Sequence, residues 1–255
     1  MNWNSYSNYP TFFAEPKLDG MRATLSKDSN GKITLMNDHN NDKTKNFPEI
    51  INNIGIDFPI ETVLDGEICI LKDSFTADFE TLLTRQTTNN LRIKLLSQKI
   101  PATFVAFDML KFKDNDLTKD KLSTRKNHLE SSIKDTLHVK VIKRFDPSYL
   151  KNILREDMEG IILKDPDSTY DKTWLKFRQY LQNDFKVVGV TSDKKLISAL
   201  ELENSKGEYV GRVNYTKYPQ TIEMKNKLVG MTAVIDSMFT NKGKVRFAVL
   251  KELRD

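Results

Sequence analysis

Glu15-Pro16-Lys17-Leu18-Asp19-Gly20-Met21-Arg22 is the stretch from which the fold is read. Thr11 to Lys17 has the composition of a strand entering a loop, and Asp19-Gly20 turns the chain just after Lys17. A lysine in such a turn, with a second cation at Arg22, is a candidate nucleophile. Its amine attacks only when neutral, and a nearby cation or partial desolvation lowers a lysine pKa. Taken alone, the same string would also serve as a charged β-turn.

Short β-like runs alternate with helical stretches on either side. Met21 to Leu25 and Ile33 to Met36 predict a hairpin around Asn30-Gly31. Phe47-Pro48-Glu49 opens a short helix, with proline where its missing N–H costs nothing. Strands are expected at Thr62 to Leu71, at the apolar run Ala102 to Leu110, at His138 to Phe145, at Met158 to Lys164 and at Trp174 to Arg178. Helices are expected at Asp78 to Arg85, Lys121 to Lys134 and Pro147 to Asp157. From Asp184 the texture changes to short strands separated by turn signals: Phe185 to Thr191, Leu196 to Leu202, Glu208 to Val213, Met231 to Phe239 and Val245 to Leu250. A helix-like insert, Tyr218 to Val229, interrupts them. That pattern predicts a small, partly open barrel of the oligonucleotide-binding kind, with a boundary near Leu181 to Asn183.

Four further strings follow the first in order. Leu64-Asp65-Gly66-Glu67-Ile68 puts a carboxylate at a strand end, and Phe104-Val105-Ala106-Phe107-Asp108 sets an aromatic beside an acid in an apolar strand. Glu159-Gly160-Ile161-Ile162-Leu163-Lys164 comes next, and Trp174-Leu175-Lys176-Phe177-Arg178 carries two cations on one strand face. Singly, each has a plain alternative: Phe107 a core residue, Glu67 and Glu159 solvated strand ends, Lys176 and Arg178 an exposed face. Together they make a phosphate-handling kit, because nucleotidyl transfer needs positioned cations and a metal around the phosphate more than covalent help.

This order resembles the covalent nucleotidyltransferase superfamily of polynucleotide ligases and capping enzymes, and within it the ATP-dependent DNA ligases of the minimal bacterial and phage type. The resemblance spans Glu15 to Asp255. It implies an α+β fold: an antiparallel-sheet nucleotidyltransferase (adenylation) domain over residues 1–182, then an oligonucleotide-binding barrel over 183–255. It implies that Lys17 attacks the ATP α-phosphorus to become lysyl-adenylate, that AMP passes to a 5′-phosphate at a nick, and that the 3′-hydroxyl displaces AMP. Glu15 matches a position at the adenine edge, Arg22 an arginine near the ribose and nick, and Phe107 the aromatic that stacks on adenine. Glu67 matches a carboxylate that holds the ribose or helps with the metal, and Glu159 a Mg²⁺-site carboxylate. Lys176 and Arg178 match the pair that holds the α-phosphate. Arg22, Lys43, Lys45, Arg246 and Arg254 are the expected nucleic-acid contacts.

The chain departs from that pattern twice. Where DNA ligases carry a Ser-Arg pair whose arginine holds the nick 5′-phosphate, this chain has Asn37-Asp38-His39-Asn40, with no arginine between Arg22 and Arg85. Either Asp38 points away from the nick, or Lys43 and Lys45 take over. The closing segment Lys244 to Asp255 resembles the family's basic end but stops at Asp255, without the lysine that often follows.

Composition agrees with these expectations. The 255 residues carry 40 Lys+Arg against 35 Asp+Glu, a net charge of +5, which hints at an anionic partner. One cysteine, Cys69, allows no internal disulfide, and with three scattered histidines (His39, His128, His138) leaves no zinc site. Cys69 reads as a small core residue, and His128 and His138 as surface positions. The Lys111 to Lys126 stretch, interspersed with Asp114, Asp116 and Asp120, reads as a solvated face. No apolar run is long enough for a membrane span, and the first ten residues lack a signal-peptide pattern, so a cytoplasmic protein is expected. The expectation is a monomeric minimal ligase acting on nicked duplex DNA with ATP and Mg²⁺, without membrane contact. It leaves room for an end-binding or clamp protein as helper. Two rivals share parts of the pattern: an RNA ligase or capping guanylyltransferase, and a non-catalytic nick-binding module.

Overall fold

The computed structural model describes residues 11–55, 58–149, 154–155, 157–170, 174–216, 221–240 and 242–255. The chain divides into two compact units after Arg178.

The first unit holds two sheets. Their strands are β1 (Phe13–Pro16), β2 (Met21–Lys27), β3 (Ile33–Asn37), β4 (Thr62–Cys69), β5 (Thr103–Phe112), β6 (Asn115–Asp116), β7 (Val139–Val141), β8 (Gly160–Lys164) and β9 (Leu175–Arg178), and the larger sheet takes the order β3-β2-β4-β5-β6. Strand β7 joins its β5 in parallel, whereas its other pairings among the described residues are antiparallel. The smaller sheet has the order β1-β8-β9. The expected hairpin forms between β2 and β3, with Gly31 at φ +80° in its turn. Pro48 opens α1 (Pro48–Asn52), and the Asp78 side chain caps α2 (Phe79–Leu83) by accepting from the Thr81 N–H. Residues Thr103 to Met109 of β5 are buried in succession, as a strand covered on both faces requires.

Three local expectations fail. A helix α3 (Asn90–Lys99) stands where none is expected. The run Pro147 to Asp157 starts as one 3₁₀ turn over Pro147–Tyr149, and Leu154 and Arg155 are not helical; the rest of that expectation lies outside the described residues. The solvated-face reading fails at its end. In α4 (Leu122–Ser132), Arg125 and Lys126 are both fully buried, because each has a distant carboxylate to meet.

The second unit is one antiparallel sheet of β10 (Leu181–Asp193), β11 (Leu196–Glu203), β12 (Tyr209–Asn214), β13 (Thr232–Phe239) and β14 (Val245–Arg254). Its order is β12-β11-β10-β13-β14, and no pairing closes β12 onto β14 among the described residues. The expected insert is the 3₁₀ turn Ile222–Met224 running into α5 (Lys225–Leu228); its first residues, Tyr218 to Gln220 (Tyr218-Pro219-Gln220), lie outside the described set. Phe185, Val187, Leu200, Leu202, Val213 and Ile235 are among the side chains of its apolar core.

The architecture is therefore sheet-rich and mostly antiparallel, with short helices, in two units. Among the described residues no helix is long and apolar enough to cross a membrane.

Candidate active site

Sheet register in the first unit assembles the site. In the small sheet Glu15 lies opposite Ile162, and Gly160 and Ile162 lie opposite Arg178 and Lys176. The Lys17 N–H donates to the Gly160 carbonyl at 2.9 Å, so the lysine leaves β1 beside the Glu159-Gly160 corner. Gly160 is at φ +150°, and a β-carbon there would collide with the Phe177 carbonyl oxygen. Only glycine lets β8 approach β9 this closely. In the larger sheet Arg22 lies opposite Glu67, and Glu67 opposite Val105 two residues from Phe107.

The two sheets face one pocket of about 90 Å³, lined by Glu15, Lys17, Arg22, Glu67, Phe107 and Lys176 together with Trp174 and Ile162. Six of the sequence-predicted residues thus meet there. Glu159 and Arg178 join them through ion pairs: the Lys17 ammonium binds Glu159, and Arg178 Nε lies 3.4 Å from Glu159 Oε1. Lys43 and Lys45 do not line the pocket; Lys43 caps the 3₁₀ turn Thr44–Asn46 and Lys45 lies within it. Arg246 and Arg254 belong to β14 of the second unit.

Electrostatics single out the carboxylates. Burial raises the Glu67 carboxyl to about 8; the Lys17 charge opposes the rise, and the charges of Glu159 and Asp65 add to it. Burial also lifts Glu159 above the ordinary carboxylate range, with Lys17 pulling the other way. Glu159 Oε2 is buried without a hydrogen-bond partner. The unpartnered Glu159 oxygen and the neighbouring Glu67 carboxyl offer oxygen ligands of the kind a hard divalent cation takes, with Lys17 and Arg178 supplying nearby positive charge. Mg²⁺ commonly takes one or two protein carboxylates and fills its shell with water and phosphate oxygens.

Arg22 has its own frame. It donates to Asp65 through Nε (3.2 Å) and Nη2 (2.7 Å), and the Tyr170 hydroxyl bonds to Asp65 at 2.8 Å and accepts from Arg22 at 3.1 Å. Behind the pocket, Glu15 is 1% exposed and clasped by Lys126 and Lys164. Burial alone would raise its pKa, but the two lysines outweigh it and hold Glu15 below its usual value. Lys164 sits 4.7 Å from the Phe107 ring centre and 3.7 Å from that of Trp174, and burial lowers its ammonium to about 8. Phe107 is 7% exposed, packed with Leu18, Cys69, Val105 and Ile142, and also lines the pocket. Cys69 is a buried core thiol, as expected. His128 packs against the Phe112 ring at 5.2 Å.

Sequence reasoning assigned no part to Asp65, Lys126, Lys164, Tyr170 or Trp174. Asp65 and Glu67, two apart on one strand, share a face, and that spacing was a usable signal. Lys126 and Tyr170 gave none, since their partners lie 111 and 105 residues away.

The ATP-dependent DNA ligase domain model matches residues 5–178. The SPbeta prophage-derived DNA ligase-like protein LigB of Bacillus subtilis is 29% identical over 86% of this chain and 82% of that protein. DNA ligase C2 of Mycolicibacterium smegmatis is 31% identical over 63% of this chain, which spans about half (47%) of it. A solved structure from a structure–function study of Lig E DNA ligases superposes with a TM-score of 0.70 at 19% identity, covering 96% of this chain and 93% of its own.

Proposed function

This chain belongs to the family of ATP-dependent DNA ligase domains, and we propose from that premise how its residues seal a nick. The observation that carries the proposal is the Lys17–Glu159 ion pair at the mouth of a pocket walled by Phe107 and Lys176. Lys17 Nζ is the nucleophile. Once its amine is neutral, it forms a bond to the α-phosphorus as the bond to pyrophosphate breaks, giving lysyl-AMP. Glu159 fixes the Lys17 amine at the pocket edge, and Lys176 and Arg178 hold the α-phosphate oxygens. Phe107 takes the base on its face, and Glu15 lies at the base edge. Glu67 and Glu159 would hold Mg²⁺, which neutralises phosphate charge during transfer.

AMP then passes to the 5′-phosphate of a nick, and the 3′-hydroxyl closes the strand with release of AMP. Arg22, directed by Asp65 and Tyr170, serves the nucleotide and nick side; Lys43, Lys45, Arg246 and Arg254 serve the DNA backbone. The five-strand antiparallel order of the second unit supports an oligonucleotide-binding barrel, and the Gly211 backbone, where a β-carbon would sit 2.8 Å from Val245 Cγ2, supports a close approach of β12 and β14. The enzyme acts as a monomer on nicked duplex DNA in the cytoplasm.

The test is gel-based sealing of a 5′-phosphorylated nick with ATP and Mg²⁺, with a nicked RNA duplex and GTP as parallel arms. Sealing of the DNA nick with ATP is expected. Activity confined to RNA or to GTP would replace this reading with the RNA-ligase or capping one.

A further inference from the structure

Trp174 directly precedes β9, and as a neighbour two residues from Lys176 it shares that lysine's strand face and lines the same pocket. Its ring meets Phe107 edge to face, with centres 5.4 Å apart and planes at 89°. A base lying flat on Phe107 therefore meets Trp174 as a perpendicular side wall and not as a second stacking face. The Lys164 ammonium lies against that wall, 3.7 Å from its centre, and Arg22 Cζ is 5.8 Å away, so the ring is held in place by two cations. Its indole N–H is buried and finds no acceptor among the described residues. A buried indole N–H ordinarily has a partner, and leaving one unmade is costly.

We propose that Trp174 is a nucleotide-binding residue whose indole N–H donates to an acceptor of the nucleoside, either the base N7 or the ribose 2′-oxygen. This rests on the reading of the pocket as the ATP site. Lys17 supplies the chemistry; Trp174 supplies orientation, fixing how far the nucleoside slides along Phe107 before its α-phosphate meets Lys17.

The test is lysyl-AMP formation measured against ATP concentration in the parent, Trp174→Phe and Trp174→Ala. Trp174→Phe keeps an aromatic wall and removes the donor. Its KM for ATP should rise roughly three- to tenfold, as the loss of one neutral hydrogen bond implies, with the rate recovering at saturating ATP and the thermal midpoint held. Trp174→Ala, which also loses the wall, should be worse. Repeating the parent and Trp174→Phe with 7-deaza-ATP and with 2′-deoxy-ATP locates the acceptor: the analogue that lacks it removes the difference between the two proteins. A Trp174→Phe variant with the parental KM, or a difference that survives in both analogues, overturns the proposal while leaving the ATP site standing. A parent that forms no adduct overturns both.

Discussion

In the first unit Asp108 meets Arg125 and Glu49 meets Arg85 out of reach of solvent, whereas in the second Lys251 with Asp236 and Arg254 with Asp184 and Glu252 pair at the surface. Among its described residues the second unit buries a single polar side chain, Ser237, inside an otherwise apolar core. The first buries a framework. Arg125 binds both Asp108 oxygens (2.9 and 2.8 Å) and also donates to the carbonyls of Asp120 and Ser168, tying α4 to β5 and to the loop after β8. Its neighbour Lys126 ties the same helix to Glu15. Such pairs add little stability over well-packed apolar side chains, because desolvation offsets their attraction. What they add is direction. Asp108 adjoins Phe107 and Glu15 lies two residues from Lys17, so the framework fixes the backbone beside Phe107 and Lys17. Among the described residues the second unit has no buried ion-pair framework of this kind.

Breaking that framework should have the largest effect. Arg125→Met leaves Asp108 buried and unpaired and should cost about 3–5 kcal/mol in chemical denaturation of the first unit. A cost below about 1 kcal/mol would mean that water reaches Asp108.

Lys164 sharpens the comparison through pH. Its ammonium sits near 8 in the folded protein against an ordinary 10.5, so between those values the unfolded chain holds the extra proton. Stability contributed by this group therefore rises with pH across that window and is flat below it. The parent should gain stability relative to Lys164→Met from pH 8 to pH 10; a difference that does not change with pH would contradict the lowered value.

The β3–α1 loop offers a smaller effect. The Asp38 N–H donates to the Arg22 carbonyl at 3.2 Å while the carboxylate stays about half exposed beside His39. Asp38→Arg should lower KM for nicked DNA several-fold, one charge-assisted contact being gained, without changing adenylation. An unchanged or poorer KM would remove Asp38 from the position of the family's arginine. The smallest effect belongs to the second unit: Lys251→Ala should shift its stability by less than about 1 kcal/mol, as an exposed pair does.

Much of this was legible because it is local. The β2–β3 hairpin follows from its Asn-Gly turn, and the strands that carry Glu67, Phe107 and Lys176 and the turn that carries Lys17 follow from local motifs, although they belong to two different sheets. Helix α3 was missed although Asn89 caps it, because Leu91 and Leu95 face outward and only Ile93 is buried, so no apolar stripe marks it. The burial of Arg125 and Lys126 was illegible for another reason. A charge run interspersed with acids reads as solvated unless the distant partner is known, and Glu15 lies 111 residues from Lys126.

The covalent role of Lys17 is open to one direct measurement. Intact-mass measurement after incubation with ATP and Mg²⁺ should show an AMP increment on the parent, with peptide mapping placing it on Lys17, and none on Lys17→Ala. An adduct of equal yield on Lys17→Ala would put the nucleophile elsewhere and contradict the account.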